Sequence, residues 1–213
     1  MGRKTAIVTG GARGIGRGCA LAPAEKGFDI ALVDLLADRM AGTAKELEAS
    51  GVTAYSYEAD VSDHARAKEI VGDLVSRSGR IDFLLNNAGR SAPKGILEIT
   101  EEEFDRAIAI NLKSCFNYIQ AVAPVMLEQK AGRICSMSSL NAHTGGVTSA
   151  VSRFAYAAAK AGILGMTRAL AKELSPHIAV NAICPGVIKT EDSNDLIRAR
   201  EPELVRGIAL QRV

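Results

Sequence analysis

The 213-residue sequence has no tryptophan, and its aromatic share is only 4% against 47% hydrophobic residues, so its core must be largely aliphatic. Cysteine is sparse. Cys19, Cys115, Cys135 and Cys184 stand far apart with no C-x-x-C pair, a pattern that argues against structural zinc or a disulfide framework and for buried, reduced thiols. His64, His143 and His177 share no ligand-like spacing, so no metal is expected. Excess charge is also missing: 26 Lys and Arg stand against 24 Asp and Glu, a net +2 with the signs intermixed. Without a basic stripe to meet a phosphate backbone, nucleic acid is not an expected partner. No apolar run approaches about 18 residues and Met1-Gly2-Arg3-Lys4 does not open a signal peptide, so the expectation is a cytoplasmic protein without a membrane span. No repeat, low-complexity tract or linker divides the chain, and residues 1–213 read as a single domain.

What is present is sharper. Ala6-Ile7-Val8 feeds directly into Thr9-Gly10-Gly11-Ala12-Arg13-Gly14-Ile15-Gly16 and then into helix-like sequence. Glycines at a strand-to-helix turn let the backbone approach a pyrophosphate closely, and the following helix offers unpaired N–H groups and a positive dipole end. The apolar run Phe28-Asp29-Ile30-Ala31-Leu32-Val33 then ends at Asp34, where a dinucleotide site needs a carboxylate for the adenosine ribose hydroxyls.

Apolar runs and helical stretches alternate as in stacked βαβ units. Strands are predicted over about 5–9, 28–34, 52–59, 81–86, 132–138 and 178–184, and helices over about 14–26, 36–49, 62–77, 101–129 and 154–174. This pattern is an α/β fold, a Rossmann-type doubly wound parallel sheet in three αβα layers. Thr100-Glu101-Glu102-Glu103 is a capping-box signature at one helix start. Pro23 predicts a kink or early end in the first helix, and Pro124 predicts that the 101–129 stretch is bent or split.

Tyr156 and Lys160 are four residues apart, one helical turn, so both project from one face. Spacing alone favours a surface salt-bridge helix. However, Ser136-Met137-Ser138-Ser139 ends the preceding strand, and reactive groups in open α/β sheets collect outside strand C-termini.

Six motifs together resemble the short-chain dehydrogenase/reductase family, and more narrowly are similar to 3-oxoacyl-acyl-carrier-protein reductases. They are the T-G-x-x-x-G-x-G turn at Thr9 to Gly16, Asp60-Val61, Asn86-Asn87-Ala88-Gly89, Asn111 in Asn-Leu-Lys-Ser, the serine before the Tyr156/Lys160 pair, and Pro185-Gly186-Val187-Ile188-Lys189-Thr190. The resemblance implies that Tyr156 is general acid in reduction and general base in oxidation. It implies that Lys160 lowers the phenol pKa and binds the nicotinamide ribose, and that Ser139, with Ser138 as the alternative, holds the substrate carbonyl. Asn111 resembles a helix-bending asparagine that holds a relay water. Gly10, Arg13, Gly14, Ile15 and Gly16 would cradle the pyrophosphate and Asp34 and Leu35 flank the ribose. Asp60 and Val61 would meet the adenine, Asn87, Ala88 and Gly89 the ribose side. In Pro185, Gly186, Ile188 and Thr190, Ile188 would offer its backbone to the carboxamide and Thr190 its hydroxyl to the pyrophosphate or amide.

Asp34 stands where the 2′-phosphate of NADP would lie, and two unshielded anions repel. Leu35 supplies no arginine after the second strand. Arg13 argues the other way, but the balance favours NAD over NADP. The substrate expected is a small carbonyl or secondary alcohol: an acyl-carrier-protein thioester, or alternatively a sugar, polyol or other alcohol. A non-catalytic nucleotide-binding regulator is the rival class. The 140–155 loop, made polar by Gly145-Gly146 and the 149–152 run, and a lid over 191–206 are expected to set specificity. Within that lid Arg198, Arg200 and Arg206 are mixed with Glu191, Asp192, Glu201 and Glu203, neutral for docking an acidic carrier protein. The resemblance also implies a homo-oligomer, tetramer or dimer, and a further helix and last strand beyond Val213. The C-terminus is therefore expected to be truncated and the sheet to end on an exposed edge.

Overall fold

The computed structural model describes residues 2–145, 152–191, 201–203, 205–206 and 208–210. Six strands are formed by the predicted apolar runs: β1 (Thr5–Thr9), β2 (Asp29–Asp34), β3 (Ala54–Glu58), β4 (Phe83–Asn86), β5 (Gly132–Met137) and β6 (Ile178–Ile183). All pair in parallel in the order β3-β2-β1-β4-β5-β6. In the central strands both side-chain rows are covered, so they read as unbroken apolar runs rather than alternating ones. Ile7, Ile30, Leu32, Leu84 and Ile134 are fully buried, each contributing about 1.5–3 kcal/mol by the transfer scale. Among the described residues no seventh strand lies beyond β6.

Helices α1 (Gly14–Ala24) and α2 (Ala37–Ala49) pack on one face of the sheet through Ala20, Ala24, Met40 and Leu47. On the other face, α3 (His64–Ser78), α5 (Ser114–Glu128) and α7 (Phe154–Glu173) pack through Leu74, Tyr118, Val122 and Ile163. This is the predicted three-layer doubly wound architecture, with the strand order reversing between β1 and β4. A ligand crevice is expected outside the strand C-termini at that reversal.

The prolines act differently from one another. Pro23 is followed by only one more helical residue, so α1 ends at Ala24 rather than near 26, and the chain turns through Gly27 at φ +79°. Pro124, by contrast, does not break its helix: α5 runs through it to Glu128. Pro124 and Gln120, whose carbonyl loses its amide partner, both lie on the exposed face, where the freed carbonyl is open to solvent. The break in the 101–129 stretch lies instead at a five-residue π-turn, Ala109–Lys113, between α4 (Glu101–Ile108) and α5. A short helix, α6 (Asn141–Thr144), was not predicted.

The capping box forms as the sequence predicts. The Glu103 N–H donates to Thr100 Oγ1 at 3.3 Å and the Thr100 N–H donates to Glu103 Oε2 at 3.0 Å. Thr100→Ala should lower stability by about 1 kcal/mol, measured as a fall in urea midpoint at unchanged m-value. No change would mean that the box is decorative.

Candidate active site

At the end of β1 the chain enters the glycine turn under tight steric limits. Gly10 has φ +66° and Gly14 φ +54°, a region side chains disfavour. A Cβ on Gly16 would stand 1.9 Å from the Gly10 carbonyl oxygen and 2.6 Å from Asn87 Nδ2. The turn is held by neighbours from two strands. Thr9 Oγ1 accepts from the N–H groups of Asn87 and Ala88 at 3.0 and 3.1 Å, while Asn87 Nδ2 donates to the carbonyls of Thr9 and Gly10 at 3.0 and 3.1 Å. Asp34, at the end of β2, accepts from the Ala12 N–H at 3.0 Å and the Leu36 N–H at 3.1 Å. Its carboxylate thus secures the turn as well as facing the crevice.

Arg13, the N-cap of α1, is extended and makes no side-chain cap bond, and the amides of such a first turn suit an anion. The Gly14 N–H donates to the Glu191 carboxylate at 2.9 Å, so an acidic oxygen already occupies one of these donors. A bare glycine floor and helix-end donors that accept an anion suit a dinucleotide diphosphate.

The crevice has a volume of about 610 Å³ and is lined by Gly10, Arg13, Gly14, Ile15, Gly16, Asp34, Leu35, Asp60, Val61, Asn87, Ala88, Gly89, Ile188 and Thr190. All of these are sequence-predicted. Tyr156, Lys160, Pro185 and Gly186 do not line it. The Pro185 carbonyl instead accepts from the Leu140 N–H at 2.9 Å, tying the segment after β6 to the loop after β5. Val33, Leu36, Ala59, Arg90, Arg106 and Ile110 line the crevice without having been predicted. Five of them adjoin predicted positions, Asp34, Leu35, Asp60, Gly89 and Asn111. Arg106 carried no signal, because its partner Asp60 is 46 residues away.

Behind Gly89 lies the second cluster. A Cβ at Gly89 would stand 3.0 Å from Asn111 Oδ1 and 3.5 Å from Lys160 Nζ, so the missing side chain brings both groups up to the crevice wall. Asn111 is fully buried in the π-turn; its Oδ1 accepts from the Arg90 N–H at 3.0 Å and its Nδ2 donates to the carbonyls of Arg90 and Ala107, each at 2.9 Å. The buried Lys160 donates from Nζ to the Met137 carbonyl at 2.6 Å. Its own backbone carbonyl accepts from Ser138 Oγ at 2.7 Å. That bond separates the two serines: Ser138 is buried and committed to α7, whereas Ser139 Oγ accepts from the Asn141 N–H at 3.2 Å and acts on the Tyr156 phenol, whose pKa it lowers.

The electrostatics differ from the expectation in one respect. Burial pushes the Tyr156 phenol above its ordinary value, and Ser139 pulls it back only in part. Lys160 does not produce the predicted lowering. Its Nζ sits 5.6 Å from the tyrosine ring centroid and is bonded to Met137, and burial pushes its own pKa down, which favours the uncharged amine.

Of the predicted specificity loops, residues 146–151, 192–200 and 204 lie outside the described residues, including Gly146, Asp192, Arg198 and Arg200. Lys189 pairs with Glu201 at 3.0 Å. His143 Nε2 lies 3.7 Å from Cys184 Sγ. Among the described residues, no group of three or more His, Cys, Asp and Glu could hold a metal ion, and no helix is long and apolar enough to cross a membrane.

Residues 4–201 match the family model described as short chain dehydrogenase. The sequence is 36% identical over 211 residues to the 3-oxoacyl-[acyl-carrier-protein] reductase FabG of Staphylococcus epidermidis, covering 98% of this chain and 85% of that one. The fold superposes on NAD+-bound xylitol dehydrogenase with TM-score 0.90 at 29% identity, covering 98% of this chain and 86% of that chain. It also superposes on a single-substitution variant of actinorhodin polyketide ketoreductase with NADPH, with TM-score 0.90 at 28% identity, covering 99% of this chain and 84% of that chain. A nicotinamide-binding crevice, a serine–tyrosine pair beside it and these likenesses converge: the chain belongs to the short-chain dehydrogenase family and is an NAD(P)-dependent oxidoreductase.

Proposed function

We propose that the enzyme moves a hydride between NAD(H) and a carbonyl or secondary alcohol, with Tyr156 as the proton donor and acceptor. The observation that carries this reading is the convergence of Tyr156, Lys160 and Asn111 at the Gly89 wall of the crevice, with Lys160 Nζ 5.6 Å from the Tyr156 ring centroid. The bound nicotinamide supplies or accepts the hydride. In reduction the Ser139 hydroxyl donates a hydrogen bond to the substrate oxygen while the Tyr156 hydroxyl passes its proton to that oxygen. In oxidation the proton returns to Tyr156. Lys160 is assigned to the ribose side of the cofactor, and Asn111 to holding the Arg90 backbone and a water behind the lysine. Asp60 and Val61 are assigned to the adenine.

Asp34 supports NAD. Its carboxylate lines the crevice and Leu35 brings no cation beside it, so a 2′-phosphate would meet an anion. Steady-state kinetics should give kcat/KM with NADH at least about tenfold above NADPH, and Asp34→Ala should narrow that gap. A higher value with NADPH would overturn the preference.

The likeness to a 3-oxoacyl-[acyl-carrier-protein] reductase favours an oxoacyl thioester as the first substrate to assay. The likeness to a xylitol dehydrogenase makes polyols the second. A homo-oligomer is also inferred, and light scattering tests it. Absence of turnover across thioesters, sugars and secondary alcohols with both cofactors would favour a regulator that binds nucleotide without catalysis.

A further inference from the structure

One charged side chain in the crevice takes no part in the chemistry proposed above. Arg106, on the last turn of α4, reaches across to the loop after β3 and donates to Asp60 Oδ2 at 2.6 Å and to Ser62 Oγ at 2.9 Å. Ser62 in turn donates to Asp60 Oδ1 from its N–H at 2.9 Å and from its hydroxyl at 2.7 Å. The three side chains form a closed triangle. Arg106 is also part of the wall, with Arg90 and Ile110, that divides the crevice from a neighbouring cavity of about 570 Å³.

The ion pair is half exposed, with 47% of the Arg106 side chain and 32% of the Asp60 side chain accessible. Such a pair contributes little to stability. Its geometric effect is larger. A carboxylate has about four acceptor sites; Ser62 occupies two on Oδ1 and Arg106 one on Oδ2, leaving a single acceptor whose direction Arg106 fixes. Burial by itself would raise the Asp60 carboxyl, but the bonds from Ser62 and Arg106 outweigh it and hold the group below its ordinary value. The remaining acceptor is therefore ionised at neutral pH, able to take a hydrogen bond but not to give one.

We propose that Arg106 is a positioning residue that aims the last free acceptor of Asp60 at a donor on the bound base, so that the enzyme selects a purine with an exocyclic amino group over one with a carbonyl. This rests on the assignment of the adenine to Asp60 above. The same triangle explains why a residue five positions before Asn111, on a helix otherwise remote from the cofactor, lines the crevice.

The test compares binding of NADH with that of reduced nicotinamide hypoxanthine dinucleotide, in which a carbonyl replaces the adenine amino group, by fluorescence titration of the enzyme. Wild type should bind NADH about tenfold more tightly. In Arg106→Ala the NADH dissociation constant should rise by about tenfold, while that of the hypoxanthine analogue changes by less than about twofold, collapsing the discrimination. Circular dichroism and Tm establish that the variant is folded, and if alanine unfolds the chain, Arg106→Gln carries the same comparison. Equal weakening of both dinucleotides, or no weakening of either, overturns the positioning role while leaving the crevice assignment intact. Failure of wild type to bind either dinucleotide overturns the crevice assignment, and the positioning role with it.

Discussion

Tyr156→Phe should lower kcat by about 10³-fold or more while leaving the NADH dissociation constant within about twofold of wild type. The substitution keeps the ring, which packs against the Ala92, Ala107 and Ala155 cluster, and removes only the phenolic hydroxyl. Folding should therefore be nearly unchanged, and the loss should fall on the chemical step rather than on binding. The pH dependence has a defined sign. Because burial raises the phenol above its ordinary value, the group is protonated at neutral pH, ready to donate in reduction and not to accept in oxidation. Carbonyl reduction should be level across neutral pH and fall only as alkali removes the phenol proton, whereas alcohol oxidation should rise through that same titration. Both trends should vanish in the phenylalanine variant. Comparable turnover in Tyr156→Phe, or reduction that rises with pH, would rule out the phenol as the proton donor.

Gly16→Ala should be the most damaging single-methyl change in the glycine turn. Its Cβ would stand 1.9 Å from the Gly10 carbonyl oxygen, 2.7 Å from the carbonyl carbon and 2.6 Å from Asn87 Nδ2. None of these atoms is the loose end of a flexible side chain, since Asn87 is itself tied to Thr9 and Gly10. Relieving the clash means separating β1 from α1 or breaking the Asn87 clamp. The expected cost is about 3 kcal/mol or more, a fall in urea midpoint of about 1–3 M, with NADH affinity reduced by about 100-fold or more. Gly18→Ala, two residues on, is the matched control. Gly18 is exposed on α1 with nothing within 4 Å of an added Cβ, and there alanine should stabilise by about 0.5–1 kcal/mol. If the two variants unfold at the same urea concentration, the close approach at Gly16 is wrong.

Local signals in the sequence located most of the sheet and the cofactor crevice. β1 and β2 are unbroken apolar runs because both faces of the central strands are covered, and they end at Thr9 and Asp34, where the glycine turn and the acid stand. The Thr100 capping box needs only four consecutive residues. What the sequence did not carry depends on partners distant in the chain. Pro124 looks like a break until the exposed position of Gln120 is known. Arg106 is one more helix cation until Asp60 is seen opposite it, and the Lys160 amine could be assumed to face the phenol oxygen until Met137 is found to hold it. The choice between Ser138 and Ser139 turns on a single bond to the Lys160 carbonyl, which only the packing of α7 on β5 creates.

The π-turn at Ala109–Lys113 amounts to one surplus residue wound into an otherwise continuous helix. Deleting a single residue there would let the backbone relax into uniform α geometry, a local gain in regularity. Because such a turn takes up its extra residue locally, the flanking segments would keep their phase, but the residues inside it would present a different face. Asn111 could then no longer reach both the N–H and the carbonyl of Arg90, and the strip after Gly89 would lose its anchor. The irregular coil thus works like the shim in a hinge, sustained by a side-chain clamp 21 residues away along the chain.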